Sequence, residues 1–453
     1  MAKRALICHY RVGRTDGVSL EITKRVSVLK ELGYKVSLLA GSGSDGADFI
    51  IPELDFDRAE VRKIAENSFN TLDNYSSEQL LMDDIYHLAE IIEKKLTSII
   101  ENFNPDFILI HNILSHGRHI ASALAFYNVL KKTNIPSLAT HHDFYWERDD
   151  FKEPSCKSIE QFLQKYVPPV LPHLKHAVIS TRAAASLQRR SSIDAAVIPD
   201  TLDFTMPPWE KDEFNKDFLK TFNLSENDIL VIQATRIVKR KGLELILPIL
   251  EKLNSNEFIG QMIGQQIYNG KTITEDSKFV YIIAGYAEKE AEEYLQSIIS
   301  YLEKRNIPYR NIQSKISAER VADKTEKQFS IFDTYAYADL VSYPSLFEGW
   351  GNQFIEAVFA RKPIMVYEYP VYKTDIKPQG YDVITLGSTA SISKQTGFLK
   401  LPDNIIETVC SKVIETLLSP KTAKKLDKNF KIAKTNNSRE TLKELMKISM
   451  EHV

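Results

Sequence analysis

Two carboxylates with a glycine turn between them mark the stretch SLFEGWGNQFIEAV, residues 345–358. Glu348 follows an expected strand, and Glu356 lies in an apolar run with helical spacing. Because Gly351 has no Cβ, the backbone can turn sharply there and approach a ligand closely. A helix that begins near Asn352 would point its amide groups and its positive dipole end at the same space. The stretch therefore indicates a site in which each acid holds the hydroxyls of one ring. A plain helix N-terminal acid and a surface acid are the alternative.

A basic pair, Arg236 and Lys241, lies in the stretch QATRIVKRKGLE after another expected strand. A helix is expected to follow Gly242. Two cations at the carboxyl end of a strand, beside the start of a helix, can clamp a phosphate group. Since Lys239 and Arg240 adjoin the pair, a solvated run of charges is the alternative interpretation.

A histidine and an aspartate, His142 and Asp143, follow the expected strand SLATH. His111 ends the expected strand FILIH in the same way. Ligands bind at the carboxyl ends of parallel strands, so these polar side chains are candidates for contacts to a substrate. Trp146 and Arg148, in the FYWER stretch that follows, are candidates for contacts to an acceptor.

Other histidines indicate packing rather than chemistry. His141 is one position away from the His-Asp pair and is predicted to be a packed core residue. His116 and His119 are three residues apart, as on one helix face, but no acidic or cysteine partner nearby indicates a zinc site. No Asp-x-Asp pair stands at a strand end, so no metal site is predicted.

The residues above need parallel strands to position them, and the chain carries that pattern twice. Short apolar runs alternate with amphipathic runs, which predicts βαβ units. The expected strands are 5–10, 33–40, 107–111, 137–141, 176–181 and 195–199, then 228–235, 279–285, 338–345, 362–368 and 381–386. The clearest helix is 76–103, with a regular apolar stripe and Ser76 or Ser77 as its cap.

The stretch 198–218 is rich in proline and charge and indicates a linker. We therefore predict an α/β fold with two doubly wound, Rossmann-like domains that face a central cleft. The first domain covers residues 1–205 and the second covers 206–434. A final helix over 435–453 could return to the first domain.

Composition limits the class of protein. The chain has 453 residues, 43% apolar and 26% charged, with a net charge of -2. This balance is typical of a soluble globular protein and gives no reason to expect a nucleic-acid partner. Three separated cysteines, no signal peptide and no long apolar run predict a cytoplasmic protein without a transmembrane segment, and peripheral membrane contact stays open.

Taken together, the motifs resemble retaining glycosyltransferases of family 4, which have the GT-B fold. The family pattern is a strand, Arg-x4-Lys-Gly, a strand ending in Pro-Ser, Glu-Gly-Phe/Trp-Gly, and a glutamate in the next helix. This chain reads TRIVKRKG and then YADLVSYPSLFEGWGNQFIEAVFARKPIMV. The resemblance covers nearly the whole chain, although PDTLD (199–203) replaces the family's hinge stretch, which often reads PNGVD.

The resemblance implies a role for each matching residue. Arg236 and Lys241 would hold the diphosphate of a nucleotide-sugar donor, Glu356 would hold its ribose, and Glu348 would hold hydroxyls of its sugar. His142 would stabilise the sugar and the charge that develops on it. The remaining expected donor contacts are Gly17, Gly349, Trp350, Gly351 and Asn352, and the expected acceptor contacts are His111, Asp143, Trp146 and Arg148.

The implied reaction is hexosyl transfer to a hydroxyl acceptor, with retention of configuration and with neither a metal nor another cofactor. UDP-glucose and GDP-mannose are the leading donors. The acceptor is small and soluble, as in the synthesis of glycosylated glycerate, or a lipid or polysaccharide. A sugar-nucleotide epimerase and a two-domain protein that only binds a sugar nucleotide are the alternatives. A nicotinamide-dependent oxidoreductase is disfavoured because no GxGxxG follows the first strand of either domain.

Overall fold

A computed structural model describes residues 2–13, 16–42, 46–322 and 326–451. The chain forms two compact units. Unit 1 comprises residues 1–201 together with 439–453, and unit 2 comprises residues 202–438. The sequence places the divisions after residues 205 and 434, each four residues from the division in the structure.

Unit 1 is built on a parallel sheet of seven strands. They are β1 (Lys3–Cys8), β2 (Tyr34–Ala40), β3 (Phe49–Ile50), β4 (Phe107–His111), β5 (Ser137–His141), β6 (Leu174–Val178) and β7 (Ala195–Val197). Their order across the sheet is β3-β2-β1-β4-β5-β6-β7. The strand order reverses between β1 and β4, which is where doubly wound sheets bind ligands. Both faces of β4 are buried, as its continuous apolar run requires.

Six α-helices lie in the described part of the chain before residue 202. They are α1 (Gly17–Glu31), α2 (Ala59–Ser68), α3 (Glu78–Phe103), α4 (Ile120–Thr133), α5 (Lys157–Tyr166) and α6 (Thr181–Ser191). The long helix α3 buries the predicted stripe, which includes Leu81, Ile85 and Leu88. Ser77 caps the helix by accepting from the amide of Leu80 at 3.4 Å, and Asn104 ends it in the left-handed conformation.

Unit 2 has a parallel sheet of six strands in the order β10-β9-β8-β14-β15-β16. Its strands are β8 (Ile229–Gln233), β9 (Phe279–Ile283), β10 (Tyr309–Asn311), β14 (Leu340–Tyr343), β15 (Ile364–Val366) and β16 (Ile384–Thr385). The strand order reverses between β8 and β14. The loops that follow these two strands carry the basic pair and the glycine turn.

Unit 2 has eight α-helices among its described residues. They are α7 (Phe218–Thr221), α8 (Leu247–Leu253), α9 (Asn256–Ile259), α10 (Glu292–Lys304), α11 (Ile331–Tyr337), α12 (Asn352–Phe359), α13 (Asp403–Leu418) and α14 (Thr422–Asn436). Two small sheets were not predicted. They are formed by β11 (Ile316–Ser317), β12 (Val321–Ala322) and β13 (Lys327–Ser330), and by β17 (Ser391–Ile392) with β18 (Leu399–Lys400).

The last helix, α15 (Arg439–Glu451), belongs to unit 1. Leu442 and Met446 join the cluster of buried side chains that includes Ile7 of β1. Arg439 forms an ion pair with Glu31 of α1. The final helix therefore completes the core beneath the first strand.

The α/β class and the two Rossmann-like units are confirmed. No helix in the described part of the chain is long and apolar enough to cross a membrane.

Candidate active site

The loop after β8 carries the basic pair, but the helix expected next to it starts later than predicted. Two short 3-10 turns, Lys239–Lys241 and Leu243–Leu245, come first, and α8 begins only at Leu247. Gly242 separates the turns in the left-handed conformation, which a glycine adopts without strain. Helical structure therefore follows Gly242 as expected, but it begins as a 3-10 turn and becomes α-helical only at Leu247.

Arg236 lies near the start of this loop and is 41% exposed. Its Nη1 donates to Oε1 of Glu288 at 2.6 Å, an ion pair that the sequence did not predict. Because both side chains reach solvent, this ion pair is weak and can exchange for another anion.

Lys241 points inward and forms an ion pair with Glu348, which lies 107 residues later in the loop after β14. Only 4% of the lysine side chain and 9% of the glutamate side chain are exposed. Nη1 of Arg240 adds a second contact to Glu348 at 3.3 Å. Lys241, which was predicted to clamp a phosphate, and Glu348, which was predicted to bind a sugar, therefore form an ion pair where the strand order reverses.

Burial opposes ionisation of both partners, but the neighbouring charges favour it. The pKa of Glu348 would rise on burial, yet the charges of Lys241 and Arg240 hold it below its ordinary value. Burial lowers the pKa of Lys241. The charges of Arg240 and Arg236 lower this pKa further, whereas the charge of Glu348 raises it. Glu348 is therefore a fixed anion at neutral pH, surrounded by an excess of positive charge.

Backbone contacts hold the two loops together. The amide of Leu346 donates to the carbonyl of Arg240 at 2.8 Å. A Cβ added to Gly242, whose φ is +61°, would lie 2.6 Å from the carbonyl oxygen of Pro344. The chain therefore needs glycine at position 242 for both its conformation and its close packing.

The turn after Glu348 ends at Gly351, which has a φ of +148°. A Cβ there would lie 2.6 Å from the hydroxyl of Tyr369, which itself donates to the carbonyl of Trp350 at 2.6 Å. The ring of Trp350 is buried, so this residue can offer a ligand only its backbone. Gly351 is the N-cap of α12, and no side chain caps this helix among the described residues. The amide of Phe354 donates to the carbonyl of Gly351 at 3.0 Å, so the amides of Asn352 and Gln353 are the ones available to an anion.

Glu356 lies one turn into α12 and is partly buried. The hydroxyl of Tyr335, on α11, donates to its Oε2 at 3.1 Å. This tyrosine is fully buried, so it fixes the orientation of the carboxylate. No role for this tyrosine was predicted from the sequence.

In unit 1, the predicted histidines meet at the reversal between β1 and β4. Nδ1 of His111 lies 3.0 Å from Nε2 of His142, and the rings are stacked. His9, which follows β1, places its Nδ1 2.9 Å from the carbonyl oxygen of His111. Burial, and then the charge of Arg25 on α1, lower the pKa of His142 to about 3, so its ring is neutral at neutral pH.

The proposed acceptor residues after β5 are largely occupied with one another. Arg148 donates to Asp143 at 2.7 Å. Trp146 stacks on Phe144 and donates its indole N–H to the hydroxyl of Ser186 at 3.0 Å. Contacts of these residues to an acceptor stay predictions, and the indole N–H would first have to leave its partner.

Gly17 is the first residue of α1, and the residue before it changes what this helix offers. The carboxylate of Asp16 accepts from the amides of Val18 and Ser19 at 3.0 and 3.1 Å. The N-terminus of α1 thus already holds a carboxylate of its own, in contrast to that of α12. A role for Gly17 in binding a donor stays a prediction.

The remaining histidines have structural partners. His141 is buried, and its Nε2 lies 2.9 Å from Nδ1 of His176, as expected of a core residue. Nδ1 of His116 accepts from the amide of Arg118, and Nδ1 of His119 accepts from the amide of Ser122. Both histidines therefore use a ring nitrogen to hold the backbone after β4.

Comparison with known proteins identifies the family. The chain is 33% identical over 427 residues to mannosylglucosylglycerate synthase of Petrotoga mobilis, with 94% of this chain and 95% of that protein covered. It is 31% identical over 446 residues to the mannosylglucosylglycerate synthase of Thermotoga maritima, with 98% of each covered. The chain belongs to this family of glycosyltransferases. No family model matches it.

Solved structures support the GT-B fold of this glycosyltransferase. A glycosyltransferase from Rickettsia africae superposes with a TM-score of 0.62 at 15% identity, over 100% of this chain and 98% of that one. Anabaena HepE in complex with UDP gives a TM-score of 0.58 at 13% identity over all of both chains. Sucrose-phosphate synthase from Thermosynechococcus elongatus gives 0.58 at 12% identity, over 98% of each chain.

Proposed function

We propose that this glycosyltransferase moves a mannosyl group from a nucleotide diphosphate mannose to a hydroxyl of glucosylglycerate and forms mannosylglucosylglycerate. The names of its relatives support this product. A transferase adds the terminal sugar, so mannose is the group transferred. Of the two donors favoured by the sequence, GDP-mannose carries it.

The observation that carries the proposal is the arrangement around Glu348. Its fixed negative charge is suited to accept hydrogen bonds from hydroxyls of the donor sugar, while Lys241 and Arg240 keep it ionised. Arg236 exchanges Glu288 for the diphosphate, and the uncapped amides of α12 bind the same group. Glu356, oriented by Tyr335, receives the ribose hydroxyls.

The chemistry follows from this charge distribution. Negative charge grows on the diphosphate as the bond to the sugar breaks, and cations already in place stabilise it. His142, neutral at neutral pH, donates a hydrogen bond to the sugar rather than carrying a charge. We propose that transfer retains the anomeric configuration and that Arg236, Lys241 and the helix amides replace a metal.

Product analysis tests the proposal. The protein is incubated with glucosylglycerate and either GDP-mannose or UDP-glucose, and products are identified by mass spectrometry. We expect a product of one added hexose with GDP-mannose, an unchanged rate in excess EDTA, and an α-linkage from an α-linked donor by NMR. Conversion of the donor to an isomeric nucleotide sugar without an acceptor would indicate an epimerase and would overturn the proposal.

A further inference from the structure

A polar cavity of about 520 Å³ in unit 1 takes no part in the site described above. It lies among the segments that follow β3, β4 and β5, on the edge of the sheet where parallel strands bind ligands. We call it the arginine pocket and define it by six of its lining residues, Phe56, Arg62, Glu66, Arg118, Asp150 and Phe151.

The two arginines of this pocket have no ionic partner among the residues that the structure describes. Arg62, on α2, and Arg118, after β4, are both exposed. Arg118 lies 5.1 Å from the ring centroid of Phe56. Arg11, which lies against the same ring, is different because it is paired with Asp55 and Asp57. The pocket therefore presents two guanidinium groups that are free to bind an anion.

The turn that carries Arg118 is fixed before any ligand binds. Its amide donates to Nδ1 of His116 at 3.1 Å. Gly117 lies under the ring of Phe151, where an added Cβ would be 2.7 Å from the phenylalanine side chain. Helix α2 packs against this turn. A backbone that is already fixed loses little conformational entropy when a ligand binds. Arg118 is therefore better placed for specific binding than an arginine on a mobile loop.

Acidic and aromatic side chains stand beside the arginines. Glu66 and Asp150 line the pocket and form no ion pair among the described residues, so they are available to sugar hydroxyls. Phe56 and Phe151 add apolar surface to the lining of the pocket, against which the carbon atoms of a sugar ring can pack. The guanidinium groups can bind an anion, and the carboxylates can bind hydroxyls. Together they match a sugar derivative that carries a carboxylic acid.

We propose that the arginine pocket binds the acceptor as an anionic glycoside, with Arg118 and Arg62 on its carboxylate and Glu66 and Asp150 on its sugar hydroxyls. The inference rests on the proposed function, in which the acceptor ends in glycerate. A guanidinium group pairs with a carboxylate through two parallel hydrogen bonds, which a neutral hydroxymethyl group cannot reproduce. The pocket thus selects glycerate glycosides over the corresponding glycerol glycosides.

Steady-state kinetics with two matched acceptors test this assignment. Glucosylglycerol differs from glucosylglycerate in having a hydroxymethyl group instead of the carboxylate. We expect the wild type to prefer the acid, and Arg118→Ala to raise the KM for the acid by about 10- to 100-fold with the donor KM unchanged. Arg118→Lys recovers part of the loss, because it restores the charge without the planar geometry. The control is Arg189→Ala, since Arg189 is an exposed arginine on α6 outside the pocket, and it should leave both KM values unchanged.

Titration calorimetry of glucosylglycerate gives a second readout that does not depend on turnover. We expect binding to weaken in Arg118→Ala and further in the double variant with Arg62→Ala. An unchanged preference for the acid and unchanged binding in the double variant would overturn the pocket assignment. Failure of the wild type to mannosylate either acceptor would instead overturn the proposed function, so the two failures are distinguishable.

Discussion

Lys241 and Glu348 form a buried ion pair that joins the loops after the two central strands of unit 2. The pair has a structural and a chemical consequence. Removing Glu348 leaves Lys241 buried without a partner, and removing Lys241 leaves buried Glu348 with only its longer contact to Arg240. Either change is more costly than losing an exposed ion pair. The same pair places one cation and one anion at the reversal of strand order, where a ligand is expected.

Removing the lysine should therefore affect stability and activity together. We expect Lys241→Met to lower the free energy of unfolding by about 3–5 kcal/mol, because Glu348 stays buried and charged. Turnover should fall at least about 100-fold, since a cation near the diphosphate is lost. Urea unfolding and initial rates measure the two effects.

A double variant separates them. Lys241→Met with Glu348→Gln should recover much of the stability, because no unpaired buried charge remains, while activity stays low. Recovery of both stability and activity would show that the pair is only structural.

Arg236 should contribute to catalysis without contributing much to folding. We expect Arg236→Ala to lower kcat/KM by about 30- to 1000-fold, as loss of one contact to the leaving diphosphate predicts. Its stability should stay within about 1 kcal/mol of wild type, because the ion pair to Glu288 is exposed. Arg305 provides a matched control, being 39% exposed and paired with Glu251 at 2.8 Å. Equal activities of Arg236→Ala and Arg305→Ala would contradict the role of Arg236.

Gly242 should tolerate no side chain, and a comparison with Gly264 separates the effect of its conformation from the effect of its close packing. Gly242 and Gly264 both have positive φ, +61° and +78°, so alanine costs about 1–2 kcal/mol at either position. Only at Gly242 would the new Cβ also meet a backbone atom, the carbonyl oxygen of Pro344. We expect Gly242→Ala to be less stable than Gly264→Ala and to lose activity, as measured by thermal unfolding and initial rates. Similar behaviour of the two variants would argue against tight packing of these loops.

The buried histidines should make the protein acid-sensitive. Burial lowers the pKa of His119 and His176 to about 4, from an ordinary value of 6.5. As pH falls from 6.5 towards 4, the unfolded chain binds protons that the native histidines do not, so the free energy of unfolding decreases. Each such histidine contributes on the order of 3 kcal/mol to this decrease, all of it regained above pH 6.5.

Thermal unfolding between pH 4 and pH 7 checks this expectation. His176→Gln keeps a polar partner for His141 and should flatten the pH dependence. His87→Gln should not, because His87 is exposed on α3. The same slope in both variants would contradict the assignment to buried histidines.

Local sequence patterns predicted most of the parallel strands and the cap of α3, because apolar periodicity and capping act over short distances. They predicted His141 as a core residue for the same reason. The family resemblance, rather than local periodicity, predicted that Arg236, Lys241, Glu348 and Glu356 serve one donor site, and that assignment stays a prediction. The short strands β3 and β10 were missed, whereas the equally short β7, β15 and β16 lie within longer apolar runs that predicted them.

The partners of the site residues could not be predicted, since they depend on contacts between distant segments. Arg240 looked like part of a solvated charge run, yet it contacts Glu348 108 residues away. No role was predicted for Glu288 or Tyr335, because nothing local connected them with Arg236 and Glu356. The late start of α8 was missed because the Lys-Gly pattern does not distinguish two short turns from one helix.

The position of α15 has a consequence for biosynthesis. Leu442 and Met446 belong to the same buried cluster as Ile7, so the earliest strand packs against residues that the ribosome adds more than four hundred positions later. During translation, unit 2 is complete before the first sheet receives its final covering helix. The apolar surface that this helix covers therefore stays open through most of synthesis.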